Sequence, residues 1–198
     1  MVLECELKFL RVDLESLSLR LQEAGATHLG KYFESNLVFD DAERSLKQHS
    51  ILLRLRHKQG KAILTVKRPP LVEVPSSLKV FDEIETRVGD FLTMKTALEV
   101  IGFKVFFSYE KIREQWRFMD CVICLDLLPF GCFVEIEGTE AAVHACAKAI
   151  GLDGHETTTK TYHTLNRIDR QAKGLASDES FVFADEVRAR LVAQLEKE

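Results

Sequence analysis

The sequence predicts an α+β fold in which about eight strands, most of them joined by short turns, carry apolar faces that helices must cover. Three observations lead there. In Glu4-Cys5-Glu6-Leu7-Lys8, charge alternates with period two, so a strand puts Glu4, Glu6 and Lys8 on one face and Leu3, Cys5, Leu7 and Phe9 on the other. Later segments repeat this alternation. Finally, a strand bearing Glu-x-Glu leads three times into a capped helix that ends at glycine: Glu4/Glu6 to Gly25, Glu83/Glu85 to Gly102 and Glu135/Glu137 to Gly151. That is not a solenoid period; it reads as one strand-to-helix unit used at several points of one sheet.

Taken in order, Asp13 is an N-cap, Leu14, Leu17 and Leu21 form a helical stripe, and Gly25 stops the helix. A strand runs from Lys31 to Phe39 and breaks at Asp40-Asp41. Ala42 to His49 is a short helix or a turn. Ser50 to His57 is a strand with Arg54 and Arg56 opposite Leu53 and Leu55, and Gln59-Gly60 turns it into a return strand from Ala62 to Lys67. Pro69-Pro70 ends that strand, and a loop continues to Ser77. Leu78 to Val88 is a strand with Glu83, Glu85 and Arg87 in phase. Asp90 caps a helix whose stripe is Phe91, Met94, Leu98 and Ile101, stopped by Gly102.

Phe103 to Arg117 holds a long strand with Lys111, Arg113, Gln115 and Arg117 in phase. Met119-Asp120 turns into Cys121 to Leu127, bearing Asp126, and Pro129-Phe130-Gly131 turns into Cys132 to Glu137. Thr139 caps a helix to Ile150. Glu156 to Arg170 is a basic, Thr-rich stretch with some helix. Residues 171–179 read as a linker, and Phe183, Val187, Leu191 and Leu195 mark an amphipathic final helix. That helix either packs on its own domain, makes a homodimer contact or lids a cavity. The chain divides on this reading into a domain over 1–170 and a linker with helix over 171–198.

The 198 residues suit one domain with an appendage, and 46 % hydrophobic content supports a sizeable core. Net charge is −4, from 27 basic and 31 acidic residues, so no global field draws the chain to nucleic acid or an anionic membrane. The N-terminus enters a charged strand at once, no apolar run spans a bilayer, and a cytoplasmic protein is expected. The five cysteines are then reduced thiols. Cys121 and Cys124 have C-x-x-C spacing, but strand parity turns them to opposite faces and no second pair completes a zinc site. The six histidines show no mutual metal spacing and read as incidental.

If helices cover the apolar faces, the charged faces turn the other way. A flat sheet would show them to solvent; a closed antiparallel barrel would gather them in a tunnel, where acids and bases must compensate each other. The inventory comes close: Glu4, Glu6, Glu83, Glu85, Asp126, Glu135 and Glu137 against Lys8, Arg54, Arg56, Lys67, Lys111, Arg113 and Lys160. Carboxylates suit Mg²⁺ or Mn²⁺, and an Arg/Lys set suits a chain of phosphates, so a polyanion with a metal uses both halves.

The motifs Glu4-x-Glu6-x-Lys8, Leu53-Arg54-Leu55-Arg56, Leu64-Thr65-Val66-Lys67, Glu83-x-Glu85, Lys111-x-Arg113, Leu125-Asp126, Gly131-Cys132-Phe133-Val134-Glu135-Ile136-Glu137 and Lys160-Thr161-Tyr162 follow in order. In these the chain resembles the CYTH superfamily, the triphosphate tunnel metalloenzymes, from Glu4 to about Tyr162. The resemblance implies an eight-stranded antiparallel β-barrel, the triphosphate tunnel, with helices packed outside, acting on a triphosphate-containing small molecule with Mg²⁺ or Mn²⁺. It assigns Glu4, Glu6, Asp126, Glu135 and Glu137 to the metal. Lys8, Arg54, Arg56, Lys67, Arg113 and Lys160 go to the phosphates, with Lys111 beside them. Glu83 and Glu85 either order the basic side chains or assist a second metal. Glu4, Glu6, Lys8, Lys67 and Arg113 are the expected catalytic set.

The family's activities leave two enzymatic readings and one other. A triphosphatase acting on inorganic, thiamine or nucleoside triphosphate needs only the tunnel, metal and water, and is preferred because nothing in the sequence reads as a nucleobase pocket. The alternative is a class IV adenylyl cyclase. A non-catalytic binder of phosphorylated metabolites is the third.

Overall fold

Strand β1 (Val2–Leu10) joins the two ends of the sheet. The structure, a computed structural model, describes residues 2–71 and 78–196, apart from the side chains of residues 2–4 and 79. The loop expected up to Ser77 lies outside the described residues from position 72. After β1 come α1 (Leu14–Glu23), β2 (Thr27–Asp40), α2 (Ser45–Gln48), β3 (Leu52–Lys58), β4 (Lys61–Arg68) and β5 (Lys79–Val88). Then follow α3 (Phe91–Val100), β6 (Lys104–Phe118), β7 (Cys121–Leu128), β8 (Gly131–Glu137), α4 (Glu140–Ala149), β9 (Thr157–Thr158), α5 (Tyr162–Ala172) and α6 (Asp185–Leu195).

The strands run in the order β5-β4-β3-β2-β6-β7-β8-β1, and a further β1–β5 pairing closes the ring into an eight-stranded antiparallel barrel. One edge of β1 pairs Glu6 to Leu10 with β8. The other edge pairs Val2 to Glu6 with β5, then Lys8 and Phe9 with the short β9. β2 and β6 share the longest ladder, with register shifts at Gly30 and Phe39. The turn at Gln59-Gly60 has φ of +49° and +69°, the left-handed pair that a two-residue hairpin requires.

The helices form where their caps predict. Asp13, Asp90 and Thr139 each accept a hydrogen bond from a backbone N–H in the first turn of α1, α3 and α4. Leu17 and Leu21 of α1 and Val143, Cys146 and Ala147 of α4 pack on the outer face of β1, β7 and β8, against Leu7, Phe9, Ile123, Val134 and Ile136. Leu98 of α3 covers Leu53 and Leu55 of β3, with Phe91 and Met94 beside it. The stripe on α3 is shorter than expected: Ile101 lies past the helix end and is 69 % exposed. Burying these outer faces is the dominant stabilising term, and it commits the alternate residues of the same strands to the interior.

Cys121 and Cys124 do face opposite sides of β7. Cys121 joins the core under α4, whereas Cys124 contacts Gln115 and Glu137; none of the five cysteines is in a disulfide. The C-terminal segment packs back on the barrel beyond the stretch read as a linker. Helix α5 extends to Ala172, and Phe181 belongs to a core cluster with Tyr109, Phe133 and Tyr162. Phe183 is buried ahead of α6 rather than on it. Among the described residues, no helix is long and apolar enough to cross a membrane.

Candidate active site

The barrel interior holds a cavity of about 600 Å³ in which side chains from seven of the eight barrel strands meet. At one end, carboxylate oxygens of Glu6, Glu135 and Glu137 lie within 4.8 Å of one another. They come from β1 and β8, where Glu6 pairs with Glu137 and Lys8 with Glu135 across the ladder. Lys8 Nζ sits 2.6 Å from Glu6 and 2.9 Å from Glu135, so one buried ammonium holds two of the three acids together. Arg113 donates to Glu135 and approaches Glu137 at 4.0 Å. Glu4 lies in the same strand, opposite Phe81, but its side chain is outside the described residues.

Facing this cluster are Arg54 and Arg56 of β3, Lys67 of β4, and Lys111 and Arg113 of β6, all lining the cavity. The acids of β5 order part of this set. Glu83 lies 2.7 Å from Lys67 and 3.6 Å from Arg54, and Glu85 accepts from Thr65 at 2.7 Å and lies 3.5 Å from Arg54. Of the two roles open to Glu83 and Glu85, these contacts match the ordering of basic side chains.

Two sequence-predicted residues sit elsewhere. Asp126 is fully buried beneath the cavity rather than in the carboxylate cluster. It accepts two bonds from Arg113 at 2.7 and 2.6 Å, one from Lys111 at 3.1 Å and one from the Tyr162 hydroxyl at 2.8 Å, which use its acceptor positions. Lys160 is exposed and does not line the cavity, because the chain leaves β9 just before it and α5 starts two residues later. It is Tyr162, at the start of α5, that reaches inward.

Sequence reasoning missed Glu34 and Asn36 of β2. Glu34 is fully buried, 3.5 Å from Arg56 and 3.7 Å from Lys111, and Asn36 accepts from Arg56 Nε at 3.0 Å. Their period-two spacing with Tyr32 and Val38 is the signal that could have found them. Tyr109 was missed as well; its hydroxyl accepts from Arg54 at 3.0 Å. His163, read as incidental, sits in an aromatic group with Phe107, Tyr109 and Phe181 and lines the cavity.

The charges are held ionised by one another. Burial pushes the Glu135 carboxyl up, but Lys8, Arg113 and Lys111 overcome this and hold it well below the usual carboxylate range. Glu34 behaves likewise: burial is outweighed by Arg56, Lys111, Arg113 and Arg54. Burial works against the charge on Lys8, yet Glu135 and Glu6 raise its pKa above the ordinary lysine value. The interior therefore carries a fixed field, negative at Glu6, Glu135 and Glu137 and positive across from it. Such an arrangement can take a hard cation at one end and phosphate oxygens at the other.

Comparison with known proteins agrees with this geometry. The sequence model of the CYTH domain matches residues 3–162. A protein of Methanocaldococcus jannaschii named "Putative adenylate cyclase" is 26 % identical over 137 residues, covering 69 % of this chain and 77 % of the relative. Among solved structures, a "putative adenylate cyclase" of Vibrio parahaemolyticus superposes with a TM-score of 0.69 at 22 % identity, covering 82 % of this chain and 97 % of that one. A Hippeastrum protein, described as a "putative adenylyl cyclase" with a dominant triphosphatase activity, gives 0.62 at 18 % identity, covering 90 % and 99 %. With the match spanning most of the barrel and both faces of its interior, the chain belongs to the CYTH domain family.

Proposed function

We propose that the protein is a divalent-metal-dependent phosphohydrolase of triphosphate compounds. The observation that carries this is the single cavity in which Glu6, Glu135 and Glu137 face Arg54, Arg56, Lys67, Lys111 and Arg113. The donor set fits Mg²⁺ or Mn²⁺: all three ligands are carboxylate oxygens, converging and partly buried, with no sulfur or imidazole among them. Glu6, Glu135 and Glu137 would hold the ion, with Glu4 as a further candidate from the same strand. Bound there, it would neutralise phosphate oxygens and lower the pKa of a water.

The chain's own residues do the rest. Arg54, Arg56, Lys67, Lys111 and Arg113 grip successive phosphate groups and stabilise the negative charge that grows on them during transfer. Lys8 holds Glu6 and Glu135 in position, and Glu83 and Glu85 fix Lys67 and Arg54 before the ligand arrives, so little reorganisation is left to the reaction.

A second reading, adenylyl cyclase, is favoured by the names of the relatives and by the aromatic group of Phe107, Tyr109 and His163 at one end of the cavity. The same grip would then present the α-phosphorus to a ribose 3′-hydroxyl, with pyrophosphate leaving. Incubation with tripolyphosphate and with ATP, each with Mg²⁺ or Mn²⁺, separates the two. Release of orthophosphate is expected; cyclic AMP with pyrophosphate from ATP would select the cyclase, and tight binding without turnover in either metal would leave a binding protein.

A further inference from the structure

The segment after the family match passes along the rim of the cavity. Ser177, Asp178 and Glu179 line it, opposite Arg44 and Lys47 of the β2–α2 connection and α2. The Glu179 carboxylate bridges these two cations: Arg44 donates to one oxygen at 2.8 Å and Lys47 to the other. The Arg44 guanidinium lies 4.2 Å over the Phe106 ring, which fixes its plane at the rim.

We infer that Arg44 and Lys47 form a second anion subsite, for a phosphate group of the ligand, and that Glu179 is a built-in carboxylate latch that occupies it. A carboxylate shared by an arginine and a lysine imitates a phosphate oxygen pair. The subsite opens on the same cavity as the basic set on β3, β4 and β6, so a phosphate chain entering past α2 meets it first. Before that group can be held, Glu179 must be displaced.

The latch is tethered but not rigidly seated. Phe181 makes a backbone bridge with Tyr109, exchanging hydrogen bonds with Ser108 and Glu110, and Asn166 donates to the carbonyls of Asp178 and Ser180. On the far side, the Phe183 N–H and Arg188 bond to Glu110. These contacts hold the strap on both sides of residue 179, while the Glu179 side chain is itself 37 % exposed and its two partners are 27 % and 59 % exposed. Such a pair is weak enough to exchange for a multiply charged ligand. The Arg44 and Lys47 contacts also keep Glu179 ionised against partial burial.

This rests on the proposed reading of the cavity, and the test separates the two. Tripolyphosphate binding with Mg²⁺ is measured calorimetrically for the unaltered protein, Glu179→Gln, Arg44→Ala, and Glu179→Gln combined with Arg44→Ala. Glu179→Gln keeps the side-chain shape and removes its charge. It is expected to tighten binding about twofold to fivefold, the size of one exposed ion pair. Adding Arg44→Ala should cancel that gain. Equal affinity of the unaltered protein and Glu179→Gln would overturn the latch and leave the cavity reading standing. No binding by any of the four proteins would overturn that reading, and the latch with it. Denaturation midpoints of the variants within error of the unaltered protein exclude a folding effect.

Discussion

Replacing Glu135 with glutamine is expected to lower the proposed triphosphate hydrolysis by about 100-fold or more. Glu135 joins the carboxylate cluster to two of the buried cations. It is one of three convergent carboxylates, it lies 2.9 Å from Lys8, and it accepts from Arg113. Glutamine retains its shape but withdraws one negative charge from a point where two buried cations and the candidate metal position converge. The cluster then holds a cation less tightly, and Lys8 and Arg113 lose part of their counter-charge. The readout that separates this from simple unfolding is the metal titration. Half-maximal activity should move to higher Mn²⁺ concentration, with partial recovery at the highest levels, while circular dichroism stays unchanged. An unchanged titration curve with normal turnover would remove Glu135 from the site.

Asp126 carries the largest expected effect on stability. It is fully buried and binds Arg113 twice, Lys111 once and the Tyr162 hydroxyl once. Asp126→Ala leaves two buried cations and a buried hydroxyl without their shared acceptor. Breaking a buried ionic network by removing one partner costs about 3–5 kcal/mol, far more than an exposed pair contributes. The loss is expected in the denaturant midpoint at neutral pH, with an unchanged slope if the unfolded state is unaffected. A loss below about 1 kcal/mol would mean that the network relaxes around the missing carboxylate or that water replaces it. Tyr162 sits at the start of α5, so the same substitution should also loosen the packing of that helix against β6 and β8.

Much of the barrel was legible because charge alternates so regularly along β1, β3, β5, β6 and β8. In β1, β3 and β8 apolar residues dominate one face and Glu, Lys or Arg the other, so period two is visible without a structure; in β5 and β6 the charged inward face carries the signal, since the outer face also holds Asp82, Glu110 and Glu114. β2 hid its inward set because both of its faces are mixed: Tyr32, Glu34 and Asn36 point in, while Phe33, Ser35 and Leu37 alternate with them. Residue type could not separate Asp126 from the convergent acids, since its role is decided by which cations stand between it and the cavity. In the Lys160-Thr161-Tyr162 motif the inward member is Tyr162, while Lys160 is exposed, a difference that the residue types alone do not show. Closure itself was not encoded locally. It depends on Val2 pairing with Glu83, a contact between distant strands that no window of sequence contains. The family resemblance, rather than strand parity, chose the barrel over the open sheet.

Acids and bases from separate strands converge on one interior, which is proposed to hold a cation and a phosphate chain together. Anomalous diffraction from crystals grown with Mn²⁺ and tripolyphosphate tests it most directly. A manganese peak bounded by Glu6, Glu135 and Glu137, with phosphate density reaching Arg54, Arg56 and Arg113, is the predicted result. Manganese and phosphate bound only on the outer surface, with the interior ion pairs intact, would contradict it.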